Sequence, residues 1–206
     1  HSDLKVADPI KSICDLHKVF VACTGIDETL DHFYGWGQLL LADFDDVDKN
    51  MVDAKLLFAN LSDIHELDDV SYLTDYQKAM IKKFFSNFSD DHNTELKKRF
   101  LQLWSHFYDI YVGFNQKLAE QQLAYEGALY RKVVNDEDID FHYKKYLFIG
   151  FNMMQIVEQT LCDRLLKQGK ALFYWDYDKY YMEGQNEAGH YIRQYLKHYP
   201  NELASY

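Results

Sequence analysis

The stretch Tyr143–Asp178, YKKYLFIGFNMMQIVEQTLCDRLLKQGKALFYWDYD, decides the fold that we predict for the whole chain. The run Tyr146–Ile149 is rich in aromatic and branched residues and stops at Gly150, which predicts a short buried strand. A second compact apolar run, Ala171–Trp175, predicts another strand. Between the runs, four apolar residues recur at helical spacing: Ile156, Val157, Leu161 and Leu165.

A helix between two strands makes a parallel βαβ unit, and nearly all such units cross over with a right hand. Gly169 follows Lys167 and is expected to end the helix. Ligands of open α/β sheets bind beyond the carboxyl ends of the strands. The candidate ligand positions are therefore 150–152 and 176–178.

The residues ahead of this unit predict helices. Asp8 and Pro9 open the first one, which is expected to end at Gly25. A second begins near Asp27, and its Gly35 and Gly37 suggest that something large packs close to its backbone. Further elements are predicted as a helix at 45–61, a loop at 62–74, a helix from Asp75, a break at 89–94, helices at 94–120 and 122–134, a linker at 135–140 and a helix at Gln185–Tyr199.

The predicted fold class is mainly α, with a helical domain at 1–140 and a small partial α/β domain at 141–206. Four acids of the segment DFDDVD, at positions 43–48, fall at the start of the helix predicted for 45–61, where the helix dipole favours them. They lack the glycine and the glutamate of a calcium-binding EF-hand loop, so we interpret them as a solvated helix start.

The charge of the chain, −11 in total, is concentrated in one segment. Residues 26–92 hold 15 acidic side chains against 5 basic ones, which makes this segment a poor site for the phosphate backbone of nucleic acids. The chain has no run of 18 apolar residues, so no membrane contact is expected. Its first residues, HSDLKVADP, suggest an excised fragment or a processed product.

The three cysteines, Cys14, Cys23 and Cys162, are far apart and form no CxxC pair. We therefore expect a reduced, cytoplasmic protein with buried thiols. The sequence contains no phosphate loop, no GxGxxG, no GxSxG and no HExxH, and no cofactor is expected.

Asp176 and Asp178 form a lone DxD after a strand. Such acids are weak candidates for a metal site, and helix capping and turn formation are the alternative that we favour. No catalytic residue and no metal site are predicted. Short basic pieces include Arg99, Arg131 and Lys132, which are the candidate contacts for nucleic acid.

The run FIGFNMMQIVEQTLCDRLLKQGKALFYWDYDKYY resembles proteins of the PD-(D/E)XK nuclease family that are related to AddB, a subunit of double-strand-break resection enzymes. The segments FYGWGQLLLADFDDVDKNMVDAKLLFANL and YEGALYRKVV are similar to the helical insertion of the same proteins. In active superfamily 1 helicases, an Asp–Glu pair ends the corresponding strand and holds Mg²⁺. By position, that pair falls on Ile149 and Gly150, which cannot bind a metal.

The resemblance implies an inactivated helicase fold that serves as a scaffold in a DNA-repair helicase–nuclease. The parent protein would be an exodeoxyribonuclease subunit that binds DNA. The implied partners are the remainder of the nuclease chain and a helicase–nuclease partner subunit. Two alternatives remain: a free-standing helical protein-interaction module, and a metal-dependent enzyme that uses Asp176 and Asp178.

Overall fold

The computed structural model of the chain describes residues 3–62, 103–183 and 186–203. The chain divides into two compact units, Ser2–Arg131 and Lys132–Tyr206, and we describe each by itself. This division falls nine residues before the domain boundary that the sequence predicts. The loop expected at 62–74, apart from Ser62, lies outside the described residues, as do the helix from Asp75, the break at 89–94 and the first part of the helix at 94–120. Ser62 is the last residue of a helix.

The predicted fold class is confirmed. The described residues form mainly helices, with one parallel βαβ unit and one further pair of very short parallel strands. No helix in the described parts of the chain is both long enough and apolar enough to cross a membrane.

Helix α1, Pro9–Thr24, begins and ends where the sequence predicts. The Asp8 carboxylate accepts hydrogen bonds of 3.0 Å from the backbone N–H groups of Ile10 and Lys11, which have no partner inside the helix. Gly25 ends the helix in the left-handed region, with φ 68°.

Helix α2, Leu30–Lys49, packs against α1 through a glycine. A Cβ atom at Gly37 would lie 2.5 Å from the Phe33 ring and 3.3 Å from the Ile13 side chain of α1. The expectation that something large lies close to this helix is therefore confirmed for Gly37. Because Gly37 has no side chain, α1 can pack closely against α2 and the Phe33 ring at this position.

The helix predicted at 45–61 is wrong in its boundary. Helix α2 continues to Lys49, the chain turns through Met51 at φ 55°, and helix α3 is Ala54–Ser62. The acids at 43–48 therefore lie in the last turns of α2, where the helix dipole disfavours them. For Asp45, an ion pair with Lys49 at 2.7 Å replaces the dipole as the stabilising interaction, and for Asp48 the three donors described below do so.

Helix α4, Phe107–Ala119, carries the aromatic and aliphatic stripe that the sequence predicts for the end of its long helix. The helix predicted at 122–134 begins later than expected. Gln122 has φ 56°, strand β2, Leu123–Ala124, pairs in parallel with strand β1, Lys5–Val6, and helix α5 is Glu126–Asn135. Strands β1 and β2 are more than 100 residues apart in the sequence. Neither two-residue segment carries a sequence pattern from which this pairing could be predicted.

The core of the helical unit is largely aromatic. Phe33, Phe44 and Phe114 are completely inaccessible to solvent. Phe44 meets Tyr111 edge to face at 5.3 Å, and Phe114 stacks on Tyr125 at 5.7 Å. Such contacts add to the free energy gained by burial and fix the angles at which the helices pack.

One buried carboxylate connects α2, α4 and α5. Asp48, 1% exposed, accepts hydrogen bonds from the Tyr111 hydroxyl at 2.6 Å, from the Tyr125 hydroxyl, and from Arg131 Nη1 at 3.2 Å. Burial and the adjacent carboxylate raise the pKa of both tyrosines, so their hydroxyls remain donors. Arg131 Nη1 also donates to the Val52 carbonyl at 2.7 Å, which holds the turn between α2 and α3.

The βαβ unit has the strands and the helix that the sequence predicts. Strand β3, Tyr146–Ile149, pairs in parallel with strand β4, Ala171–Tyr174, in the register Phe148 opposite Phe173. Helix α6, Ile156–Lys167, connects the strands, and Gly169 follows it with φ 65°.

The helix predicted at Gln185–Tyr199 is wrong in length. The structure has a short helix α7, Lys179–Met182, a 3₁₀ turn at Glu187–Gly189, and helix α8, His190–Tyr195. A Cβ atom at Gly189 would collide with the Tyr181 carbonyl oxygen, so the chain packs back onto α7 at a glycine. The apolar spacing continues past this contact, which is why the pattern suggested one longer helix.

We predict that Asp48→Ala lowers the free energy of unfolding of the helical unit by about 3–5 kcal/mol, because it leaves the Arg131 charge and two tyrosine hydroxyls without their acceptor. The matched control is Asp46→Ala, an exposed position on the same helix, with an expected change within about 0.5 kcal/mol. Urea denaturation measures both. Equal losses in the two variants would contradict the role given to Asp48.

We also predict a pH-dependent contribution from Asp15. Burial alone would raise the pKa of this carboxyl group, but hydrogen bonds from Gln121 and Lys11 outweigh burial and hold the pKa below its ordinary value. A lowered folded-state pKa stabilises the protein above the unfolded-state pKa, and this contribution disappears as the pH falls through the folded-state pKa. Asp15→Asn should cost about 1–2 kcal/mol at pH 7.

The difference between Asp15→Asn and the parent chain should shrink below about pH 4. Urea denaturation at pH 7, 5 and 3 measures it. Asp27→Asn, at an exposed position, is the control and should follow the parent at every pH. A difference for Asp15→Asn that is constant across this range would contradict the prediction.

Candidate functional site at the sheet of the α/β unit

The carboxyl edge of the β3–β4 sheet holds the candidate ligand positions, 150–152 and 176–178, together with Ile149. Ile149 ends β3, and Gly150 follows it with φ 72°. The Gly150 N–H donates to the Tyr174 carbonyl at 3.3 Å, which closes the ladder at this end. Ile149 is apolar and Gly150 has no side chain, so neither position presents a ligand atom for a metal beyond the strand end.

The two acids of the DxD motif have different roles. Asp178 caps α7: its carboxylate accepts from the Tyr180 N–H at 2.8 Å. This is the capping role that we favoured for the motif, although the structure shows it only for Asp178. Asp176 is exposed one residue beyond the buried Trp175. In the parts of the chain that the structure describes, no three His, Cys, Asp or Glu side chains come together as a potential metal site.

One face of the sheet is covered. Phe148 and Phe173 stack at 5.1 Å with planes 18° apart, and Trp175 and Tyr199 extend this aromatic layer. Helix α6 contributes Cys162 and Leu165, each 1% exposed, to the same cluster. Burial and the neighbouring acids raise the pKa of the Cys162 thiol to about 12, so it is an inert core residue at neutral pH. The expectation of a buried thiol is confirmed for Cys162, whereas Cys14 and Cys23 are only partly buried.

The other face is open, and the prediction that β3 is buried is wrong for this side. Leu147 is 55% exposed and Ile149 is 65% exposed. Met153, in the loop after β3, and Ile156, the first residue of α6, are also exposed, at 68% and 45%. We call the side of β3 that carries Leu147 and Ile149 the open face. A short apolar run predicts a strand but does not show whether one face or both faces of that strand are covered. The sequence therefore does not predict the open face.

The two outer edges of the sheet also differ. Beside β4, the Asn201 side chain accepts from the Trp175 N–H and donates to the Trp175 carbonyl, both at 3.0 Å. The Glu202 N–H donates to the Phe173 carbonyl at 2.9 Å. The edge of β4 is therefore closed by the last described residues.

Beside β3, no such closure is present among the described residues. Tyr146 and Gly150 donate their N–H groups to β4, so by alternation Phe148 also faces β4. The N–H and C=O groups of Leu147 and Ile149 consequently point away from β4, where no backbone hydrogen bond from the described residues meets them. We call this the free edge.

The candidate nucleic-acid residues are not brought together. Arg99 lies outside the described residues. Arg131 is bound to Asp48 and to the Val52 carbonyl, with its side chain 26% exposed. Lys132 is exposed at the next position of α5.

A separate cleft of about 460 Å³ lies in the helical unit. One stripe of α2 forms its apolar floor with Leu40, Phe44 and Val47, and a neighbouring stripe adds the exposed Asp43 and Asp46. Side chains of α3 and of residues 103–107 form the opposite wall: Leu57, Phe58, Trp104 and Phe107. The periodicity of α2 indicated a buried stripe here, but a cleft requires the opposite wall and is not visible in one helix.

Comparison of the chain with protein-family models, with curated proteins and with solved structures gives no match.

We predict opposite consequences for the two adjacent basic residues of α5. Lys132→Ala should weaken any salt-dependent binding of DNA and leave the free energy of unfolding within about 0.5 kcal/mol of the parent. Arg131→Ala should lower the free energy of unfolding by about 3 kcal/mol, because Asp48 loses its cation. Fluorescence anisotropy with labelled DNA at two salt concentrations and urea denaturation separate the effects. Submicromolar binding in physiological salt would contradict the expected nonspecific range of roughly 10⁻⁴–10⁻⁶ M.

Proposed function

We propose that this chain is a non-catalytic, helicase-like scaffold of a DNA-repair exonuclease, in which it supports a larger α/β assembly and its contact with DNA or with a partner subunit. The half-covered parallel sheet is the observation that supports this proposal best. Parallel sheets occur almost only with both faces covered. A two-stranded parallel sheet with Leu147 and Ile149 exposed is therefore suited to be part of a larger sheet.

The residues at the strand ends favour a scaffold over a motor. Phosphoryl transfer needs a phosphate cradle, a lysine, Mg²⁺ and an acid that holds the metal. The sequence has no phosphate loop, and Ile149 and Gly150 occupy the positions to which the resemblance assigns the metal-holding acids. The DNA-repair role comes from the resemblance of the GFN and FYWDYD segments to AddB-related nucleases, which implies a nuclease chain and a partner subunit around this scaffold.

A second candidate function is a protein-interaction module, and the cleft of the helical unit favours it. The apolar floor of the cleft and the exposed Asp43 and Asp46 match a segment that presents apolar and basic side chains together. The third reading, a metal-dependent enzyme, receives no such support, because Asp178 is engaged in capping α7.

ATP turnover tests the scaffold proposal on the chain itself. With Mg²⁺, and with or without single-stranded DNA, we expect no turnover by the parent chain or by Asp176→Ala/Asp178→Ala. Turnover that this double substitution abolishes would overturn the proposal in favour of the metal enzyme.

Degradation of linear double-stranded DNA tests the repair role, with the protein in which this chain occurs purified from cells. Asp176→Ala/Asp178→Ala should retain the activity. Phe173→Ala, which removes the central ring of the sheet core at a cost of about 3–5 kcal/mol, should lower the activity together with the yield of the assembled protein. A parent protein that degrades no DNA under any of these conditions would refute the repair role.

A further inference from the structure

The cleft of the helical unit has an apolar interior and a polar rim. Three of its lining residues are exposed, and all three are polar: Asp43, Asp46 and Asn50. The other described residues that line it are apolar and are buried or half-buried. We infer that the cleft binds one amphipathic helix of a partner protein, which inserts three apolar side chains and places lysine or arginine side chains against Asp43 and Asp46. This inference rests on the second candidate function, the protein-interaction module, because it names the partner of that module.

The spacing of the cleft floor sets the spacing of the partner's apolar side chains. Leu40, Phe44 and Val47 stand at i, i+4 and i+7 of α2, which spans about 10.5 Å along the helix axis. Helices that bind in grooves insert apolar anchors at this same spacing. The cleft volume of about 460 Å³ corresponds to about three such anchors, because the loss of one buried leucine side chain leaves a cavity of about 150 Å³.

The secondary structure of the walls favours a helix over an extended segment. The floor belongs to α2, and Leu57 and Phe58 of the opposite wall belong to α3. The backbone groups inside these helices bond within each helix, so the described lining residues offer no open strand edge. An extended segment that entered the apolar cleft would lose the hydrogen bonds of its own backbone groups to water. A helix satisfies those groups internally.

Charge selects basic residues on the partner. Among the described residues that line the cleft, none is basic. Lys49, the lysine of α2, is already bound to Asp45 at 2.7 Å and to Glu126 at 2.8 Å. Asp43 is exposed on one side, but partial removal of its carboxyl group from water and the nearby Asp46 carboxylate raise its pKa. A lysine or arginine beside the two carboxylates would offset their repulsion, whereas an acidic partner would increase it.

Two designed peptides of about 15 residues test the motif on the whole chain. Both have leucines at i, i+4 and i+7 of a helical sequence. One has lysines along the neighbouring stripe, and the other has glutamates at the same positions. Fluorescence anisotropy measures the dissociation constants, and circular dichroism measures the helix gained on binding. We expect the lysine peptide to gain helix and to bind at least about tenfold more tightly than the glutamate peptide, with a preference that shrinks as salt is added.

Charge-neutral variants of the rim test the role of the two acids. Asp43→Asn/Asp46→Asn should remove most of the preference for the lysine peptide. The control, Asp27→Asn/Asp31→Asn, removes the same charge from exposed positions that do not line the cleft, and it should retain the preference. All four side chains are exposed, so both double variants should fold as the parent does.

Two adjacent leucines of α3 test where the peptide binds. Leu57 lines the cleft, so Leu57→Trp should fill it and weaken binding of the lysine peptide at least about tenfold. Leu56 is 60% exposed and does not line the cleft, so Leu56→Trp should bind as the parent does. Urea denaturation establishes that both variants fold. The two rim variants decide the question by themselves if Leu57→Trp does not fold.

The outcomes separate this inference from the interaction module on which it rests. Equal affinity for the two peptides, or binding without a gain of helix, would overturn the inference and leave a module of another specificity. No binding of either peptide would overturn the inference and also remove the support that the cleft gives to the module. Unchanged binding by folded Leu57→Trp would place the peptide elsewhere on the chain, and self-association that Leu57→Trp abolishes would make a second copy of the chain the occupant. Either result would overturn the inference.

Discussion

A parallel sheet requires apolar cover on both faces, and this constraint dominates the α/β unit. The layer of Phe148, Phe173 and Trp175 meets it on one side with the help of α6 and α8. On the other side, Leu147 and Ile149 are exposed, so the requirement for apolar cover is not met on this face. At the outer edge of the same strand, no backbone hydrogen bond from the described residues meets the N–H and C=O groups of Leu147 and Ile149. These two features of β3 are the observations that support the proposed scaffold role.

The helical unit depends on a different interaction, the buried Asp48 carboxylate. A buried charge without partners destabilises a protein strongly, so its three donors must stay in place once the unit folds. These donors come from α4, from Tyr125 just ahead of α5 and from α5 itself, and Arg131 also holds the turn before α3. This network uses an arginine that looked available for DNA when it was considered in isolation. It also leaves the exposed Lys132 next to it as the better candidate for a DNA contact.

The two units support different kinds of recognition. The sheet offers backbone hydrogen bonds and apolar side chains, which suit an added strand and helix. The cleft between α2 and α3 offers apolar walls beside Asp43 and Asp46, which suit an apolar segment with basic residues. Both surfaces would suit contacts with protein, and the acidic charge of residues 26–92 disfavours nucleic acid in that part of the chain.

The sequence by itself determined the elements whose signals are local. The apolar runs at 146–149 and 171–175, the cap at Asp8 and the glycines at 25 and 169 each act within a few residues. The structure has these elements where the patterns predict them, with the second strand one residue shorter, at Ala171–Tyr174. Only the tertiary structure decided what depends on distant partners: the end of α2, the pairing of Lys5–Val6 with Leu123–Ala124, and the engagement of Arg131. It also decided that one face of β3 is open, because the residues of a strand specify that its sides are apolar but not what covers them.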